Sequence, residues 1–318
     1  MKTQLIAMLI IMLGTCAFAQ EFPLTITHKF GETVIESAPV RVASLDYNGA
    51  DNLLALGIQP VTIRDWYGDH PKAVWPWAAP LLMGNPEILR GDLNFEQIAA
   101  AEPDVIIALW SGITTEEYTQ LSRIAPVVAV PEGTGDFALP WDQLALIAGE
   151  ATGKLDLAET LVQGVNDELA AIRARHPDWQ GRTASPAYVW NGLGVYTGKD
   201  IRTLLLANLG LITPAAVQDI SAEGEFVASF SQEELPIIDA DVVLWFTDGS
   251  EDNIQSIEDL ALRPALTAYH EGREIFVDAM LSSAMSHASL LSLPYALEAL
   301  EPKIAAAIDG DPATLVPE

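Results

Sequence analysis

The strongest constraint in this sequence is an alternation of strand-sized apolar runs with helix-like segments, interrupted midway by one long amphipathic stripe. RVASLD (Arg41–Asp46), PVTIRD, DVIIALW and VVAV are short and rich in valine and isoleucine. GADNLLALG, NFEQIAAAE from Asn94 and TTEEYTQLSRIA lie between them with helical spacing and start or stop signals. Such an order builds parallel strands joined by helical crossovers. A β-like stretch, LTITHKFGETVI, precedes them, and WDQLALIAGEATG reads as a helix that ends in glycines. Leu157, Leu161, Val165, Leu169 and Ile172 then fall on one face of a helix predicted over Asp156–His176, about 30 Å long.

The alternation resumes beyond that rod. PAYVWNG, VYTG, DVVLWFT and EIFVD read as strands; IRTLLLANLG, SQEELPIID, IQSIEDLALRPALTAY and a closing segment from about Leu290 to Ile308 read as helices. The halves also share fixed offsets. Glu96, Asp104 and Gly112 recur as Glu233, Asp241 and Gly249, each 137 residues on, and LALGI near Ile58 recurs as LANLGLI around Gly210. The expected fold class is α/β: two Rossmann-like lobes with mainly parallel sheets, joined by a single long α-helix. The expected organisation is an export signal over 1–19, an N-terminal lobe over 20–140, a helical segment over 141–178 and a C-terminal lobe over 179–318.

The signal is read from Lys2, the apolar run LIAMLIIML and the Ala17-Phe18-Ala19 cleavage site. A second reading makes Cys16, in Leu13-Gly14-Thr15-Cys16, a lipid anchor. With either fate the rest of the chain has no thiol for a disulfide or a thiolate metal site. The 318 residues are half apolar, ample for a core in each lobe. The charge is lopsided, 44 acids against 16 bases and net −28, which sets aside nucleic acid and anionic lipid as partners.

Familiar catalytic motifs are missing: no Gly-x-Ser-x-Gly elbow, no P-loop, no cysteine nucleophile. The histidines His28, His70, His176, His270 and His287 are scattered, although His70 and His287 with carboxylates would suit a zinc or manganese site if the fold gathered them. The aromatic residues are more suggestive. The loop DWYGDHPKAVWPW, Asp65–Trp77, follows a strand and holds Trp66 and Tyr67. Trp110 ends DVIIALW, Trp190 and Trp245 end or nearly end second-half strands, and Tyr196 lies in the turn that follows. Ligands of open α/β sheets bind outside the carboxyl ends of strands, so these rings either share a cleft or cap the sheets. Arg64 and Arg202 stand near the same ends, suited to an anionic ligand or to a salt bridge with one of many acids. Glu96 and Glu233 sit in first helical turns, where an acid either favours the helix dipole or, as a matched pair, meets a partner.

RVASLDYNGADNLLALGIQPV, LNFEQIAAAEPDVIIALWSG, the mid-chain helix, SQEELPIIDADVVLWF and SSAMSHASLLSLPYALEAL together resemble the periplasmic binding proteins for iron–siderophores and cobalamin, from about Arg41 to Ile308. The resemblance implies two lobes with little hinge motion, a ligand between them, and delivery to an inner-membrane ABC permease whose arginine pockets receive Glu96 and Glu233. It also implies that Met280–Met285 forms a cleft wall, though without the aromatics some relatives have there. The candidate ligand-binding set is Tyr47, Arg64, Trp66, Tyr67, Trp110, Trp190, Tyr196, Arg202, Trp245 and Met285. The expected ligand is a ferric siderophore of hydroxamate or carboxylate type, bound by a periplasmic monomer that is not an enzyme and supplies no metal ligand or cofactor. Cobalamin or heme on the same scaffold, direct zinc or manganese binding, and a hydrolase with a cleft carboxylate pair are the alternatives.

Overall fold

The computed structural model describes residues 20–48 and 50–317; the expected export signal, its expected cleavage site and Cys16 lie outside them. A hairpin of β1 (Leu24–His28) and β2 (Gly31–Ile35) comes first. The first lobe is then built on β3 (Val42–Ser44), β4 (Thr62–Arg64), β5 (Glu87–Leu89), β6 (Val105–Ala108) and β7 (Val127–Ala129). All pair in parallel, in the order β5-β4-β3-β6-β7. Every residue of β3, β4, β6 and β7 is buried, as expected of parallel strands covered on both faces.

The second lobe holds β8 (Ala184–Val189), β9 (Leu193–Tyr196), β10 (Val227–Phe230), β11 (Val242–Phe246) and β12 (Glu274–Val277), in the order β10-β9-β8-β11-β12. Its sheet is mixed. β8, β11 and β12 are parallel, while β9 runs antiparallel to both β8 and β10. The cause is local: Asn191-Gly192 turns the chain straight back after β8, with Gly192 at φ 128°.

The rod is the helix Leu155–Arg175, within one residue of the predicted bounds at each end. Val165, Leu169 and Ile172 of the predicted stripe are buried in the second lobe's core. Leu157 is instead 40% exposed, and Ala158 takes the buried place in the first lobe's core. Ala158 lies so close to Gly149 of the helix Trp141–Ala151 that a Cβ on that glycine would fall 2.5 Å from it. Small side chains bring the two helices together there and rotate the stripe. One helix thus supplies both cores.

The repeated motif is structural in both lobes. The Asp104 carboxylate accepts hydrogen bonds from the backbone N–H of Val40 (2.8 Å) and Arg41 (3.0 Å), just ahead of β3. Asp241 accepts from the N–H of Thr183 (2.8 Å), just ahead of β8. Each aspartate pins the entry of a central strand to its neighbour. SQEELPIID forms a 3-10 helix, Gln232–Ile238, because Pro236 denies it an α-helical hydrogen bond. The stretch expected as one helix after β11 is divided into Glu251–Glu258, Arg263–Ala265 and Thr267–His270 around Pro264. β5, β10 and the helix Ala279–His287 had no counterpart in the sequence reading.

Candidate functional site

The carboxyl ends of β3, β4 and β6 bring Tyr47, Trp66 and Trp110 to one edge of the first lobe. Backbone bonds hold these loops in register: Tyr47 N–H donates to the Trp110 carbonyl (3.1 Å), and Trp110 N–H donates to Asp46 Oδ1 (2.7 Å). Trp66 stands edge-on to Trp110 at 5.5 Å and lies 6.0 Å from Tyr47. Phe137 closes the group, 5.4 Å from Trp110 and 6.0 Å from Tyr47. Its ring fits because Gly112 has no side chain; a Cβ there would lie 2.7 Å from Phe137 Cζ.

These rings face the second lobe across a cavity of about 320 Å3, whose far wall is Asp200, Ile201, Arg202, Phe226 and Ser286. A second cavity of about 610 Å3 shares Trp66, Arg202 and Ser286 with it and continues past Tyr67, Trp75, Trp190 and Met280. Trp190 stacks on Tyr188 at 4.7 Å. Trp66 and Trp190 remain 39% and 48% exposed, so flat apolar surface stands open on both sides of the cleft.

The two arginines are held firmly. Arg202 donates from Nη1 to both carboxylate oxygens of Asp200 (2.9 and 3.1 Å) and from Nη2 to Ser286 Oγ (2.6 Å). Its guanidinium lies 4.1 Å above the Tyr196 ring. Burial pushes the Tyr196 phenol well above its ordinary range, so it stays protonated. Arg64 lies against the Tyr47 ring (4.0 Å), donating from Nη2 to the Tyr47 hydroxyl (2.7 Å) and from Nη1 to the Ser111 carbonyl (3.0 Å). Trp110 Nε1, Tyr196 Oη and the Nε atoms of both arginines are buried without a hydrogen-bond partner in the protein.

The rings of the Asp65–Trp77 loop also close a contact between the lobes. Trp66, Tyr67, Trp75 and Trp77 surround His287 of the second lobe, with ring centroids 5.4–5.8 Å away. His287 has its Nδ1 2.9 Å from the Ser283 carbonyl, and burial pulls its pKa down to about 4. It is therefore a neutral ring packed among rings at neutral pH. Beside it, Asp51 Oδ2 accepts from Trp77 Nε1 and Ser289 Oγ, each at 2.7 Å, and Asn52 Oδ1 accepts from Leu290 N–H (3.0 Å). Burial raises both Asp46 and Asp51 to about 6. This half of the loop is a seam between lobes.

Comparison with known proteins agrees with this architecture. The model of the family described as periplasmic binding protein matches residues 42–280, most of the chain. This chain belongs to the periplasmic binding protein family. A crystal structure of a periplasmic solute binding protein from Mycobacterium smegmatis is 32% identical with a TM-score of 0.79, covering 89% of this chain and 98% of that one. The structure of PiaA from Streptococcus pneumoniae in complex with ferrichrome is 28% identical with a TM-score of 0.74, covering 90% of this chain and 99% of that one. The probable siderophore-binding lipoprotein YfiY of Bacillus subtilis is 28% identical over 243 residues, 72% of this chain and 71% of its own.

Within this periplasmic binding protein, the sequence-predicted residues separate into three groups. Tyr47, Trp66, Tyr67, Trp110, Trp190 and Arg202 gather around the cleft. Arg64 and Tyr196 lie just beneath its wall, each 8% exposed or less. Trp245 and Met285 do not join them. Trp245 is fully buried, because strand neighbours alternate: Phe246 meets Tyr196 (5.3 Å), while Trp245 points to the opposite sheet face and donates from Nε1 to Glu274 (2.7 Å). Met285 packs into the core, and Ser282, Ser283 and Ser286 of the same helix present the face toward the cleft.

Sequence reasoning missed Phe137, Tyr188, Asp200, Ile201, Phe226 and Ser286. Only Asp200 left a signal, as the cap of the helix Ile201–Asn208, where it accepts from Arg202 N–H (2.8 Å). His70 packs on Trp75 (4.1 Å), the ring that also meets His287 (5.4 Å), while His28 bonds Thr33 and His176 bonds Glu301. Among the described residues, no group of three or more His, Cys, Asp or Glu side chains is placed to hold a metal ion. Glu96 and Glu233 are exposed second residues of the helices Phe95–Ala100 and Gln232–Ile238. The capping box after Ser231 uses Glu234, which leaves Glu233 outside it.

Proposed function

We propose that this periplasmic binding protein captures a ferric siderophore between its lobes and passes it to an ABC permease in the inner membrane. The observation that carries this reading is the convergence of Trp66, Trp110, Phe137 and Trp190 from two lobes on one cleft, with Arg202 between them. A ferric chelate has an apolar rind around a polar metal core. Rigid rings bury the rind with little loss of side-chain entropy, and N–H and O–H donors meet the oxygens. PiaA, described as an iron uptake ABC transporter substrate-binding protein, and YfiY support the ligand class by similarity. The iron arrives inside its chelator, so the protein contributes neither a metal ligand nor a cofactor. It acts as an exported, monomeric carrier and not as an enzyme. Glu96 and Glu233 are its contacts for arginine pockets on the permease.

The test is a binding screen read by tryptophan quenching. It covers ferric hydroxamates, catecholates and citrate-type chelates, cobalamin, heme, and zinc or manganese alone. A ferric siderophore is expected to bind, and Trp66→Ala with Trp110→Ala is expected to weaken it by roughly a hundredfold, the loss of two stacked contacts at ~1.4 kcal/mol each. Unchanged affinity in the double variant removes the aromatic cleft as the binding site. Binding only of cobalamin, heme or a bare metal ion replaces the siderophore with that ligand.

A further inference from the structure

We infer that the cleft selects ferric chelates of zero or low net charge, and that Asp200 is the residue that sets this preference. The inference rests on the siderophore reading and specifies the chemical class within it.

Among the described residues, Arg202 is the only lysine or arginine that lines either cleft cavity, and Asp200 already matches its charge. Asp200 engages it through both carboxylate oxygens, and the pair is nearly enclosed, with side-chain exposures of 14% and 8%. Asp248 lines the second cavity as well, so the wall carries two carboxylates against one guanidinium. Arg64 does not redress the balance, because its charge is set against the buried Asp46 carboxyl and it sits behind Tyr47, donating from Nη2 to that hydroxyl. Lys199 opens into a separate space beyond Phe137 and Ile201, together with Asp142. The whole chain is net −28, and its field opposes the approach of a polyanion.

Siderophore classes differ sharply on this count. A full set of hydroxamates cancels the charge of ferric iron, whereas catecholates and citrate-type carboxylates leave the complex negative. A polyanion in this cleft would lose hydration without gaining a free cation. A neutral hydroxamate complex loses far less, and its oxygens find donors. Tyr47 accepts from Arg64 at its oxygen, which leaves its own hydrogen to donate outward.

The helix cap makes Asp200 separable from the fold. Its Oδ1 caps the helix through Arg202 N–H, and asparagine caps as well as aspartate. Asp200→Asn therefore keeps the cap and removes the counter-charge from Arg202.

The experiment compares wild type and D200N with three probes: ferrichrome as the neutral tris-hydroxamate, ferric dicitrate, and a ferric tris-catecholate. Wild type is expected to bind ferrichrome at least about a hundredfold tighter than either anion. D200N is expected to tighten binding of the anions by about tenfold, the effect of one unmatched charge in a partly desolvated site, with ferrichrome changed far less. Wild-type affinity for ferrichrome should stay level as sodium chloride is raised, a measurement that needs no variant. Equal or tighter binding of an anionic chelate by wild type overturns the charge filter and leaves the siderophore reading standing. An unchanged anion-to-ferrichrome ratio in folded D200N removes Asp200 from the role. If no ferric chelate binds, both readings fall together.

Discussion

Burial of Asp51 at the seam leaves a signature in the pH dependence of stability. Desolvation raises its carboxyl from 3.8 to about 6, against the pull of hydrogen bonds from Ser289 and Trp77. The folded state then binds more protons than the unfolded state between those values. Stability from this group is lost as pH rises through that window, and the loss is complete above pH 6, about 3 kcal/mol at 1.36 kcal/mol per unit. Asp51→Asn keeps an oxygen acceptor for both donors and removes the buried charge. Urea melts should show the variant gaining about 2.4 kcal/mol relative to wild type between pH 4 and pH 8. A difference that stays constant across that range would mean the carboxylate is not desolvated as described. Single residues were unevenly legible in the sequence. Trp66 and Trp110 were readable because a ring at a strand's carboxyl end has few other places to go. Trp245 misled because one position along a strand reverses the face, and the strand's true end is Phe246. Asp200 was invisible as a charge partner because its local role as a cap is a sufficient reason for an aspartate.

At the level of elements, the repeat that relates the lobes separates structure from function at a pair of glycines. Gly112 follows β6 and Gly249 follows β11, each the neighbour of its sheet's central strand, with φ of 64° and 81°, so both turns need a left-handed residue. Their surroundings differ. The space beside Gly112 holds the Phe137 ring, whereas the nearest neighbour of a Cβ at Gly249 would be Ala279 Cβ at 3.6 Å, an ordinary contact. Gly249→Ala should therefore cost only the left-handed strain of about 1–2 kcal/mol and leave ligand affinity intact. Gly112→Ala should show the same strain and also displace Phe137, weakening ligand binding by roughly tenfold or ~1.4 kcal/mol. Thermal melts with ligand titrations of the two variants read both effects. Equal affinities would mean Phe137 is not part of the ligand wall. The elements themselves were legible where periodicity was long. The rod, a helix of 21 residues, was placed within one residue because its apolar spacing persists from Leu157 to Ile172 and Pro177 follows its end. The helix Ala279–His287 was not, because alanines, serines and methionines on all sides leave no clear stripe, though Asp278 caps it by accepting from Leu281 N–H. β5 and β10 are short edge strands whose exposed residues break the apolar run that identifies a central strand.

For the whole molecule, the consequence is a clamp whose halves do not swing freely. The rod enters both cores, and the seam adds the Asp51–Ser289 and Asn52–Leu290 hydrogen bonds together with the ring box around His287. Opening the lobes would break buried hydrogen bonds and expose apolar rings at once, so the spacing between lobes is set before any ligand arrives. That rigidity bears on docking. A helix that leads into a parallel strand runs against it, so its first turn lies at the edge where the strands end. Glu96 before β6 and Glu233 before β11 therefore stand on the same edge as the cleft, one per lobe, at a fixed separation. Neither carboxylate is consumed by a hydrogen bond or ion pair within the described residues. Removing each costs about 0.3–1 kcal/mol of helix-end electrostatics, too little to unfold a lobe. Glu96→Ala with Glu233→Ala is expected to leave ligand affinity within about twofold of wild type, since one RT of binding energy is already nearly threefold, and to abolish iron uptake by cells that depend on this carrier. On the proposed docking, each single variant should retain part of the uptake, because the other acid would still be presented by the rigid clamp. Full transport by the double variant would reduce both acids to helix-end charges. Loss of ligand binding would place them in the cleft's support instead of on the permease.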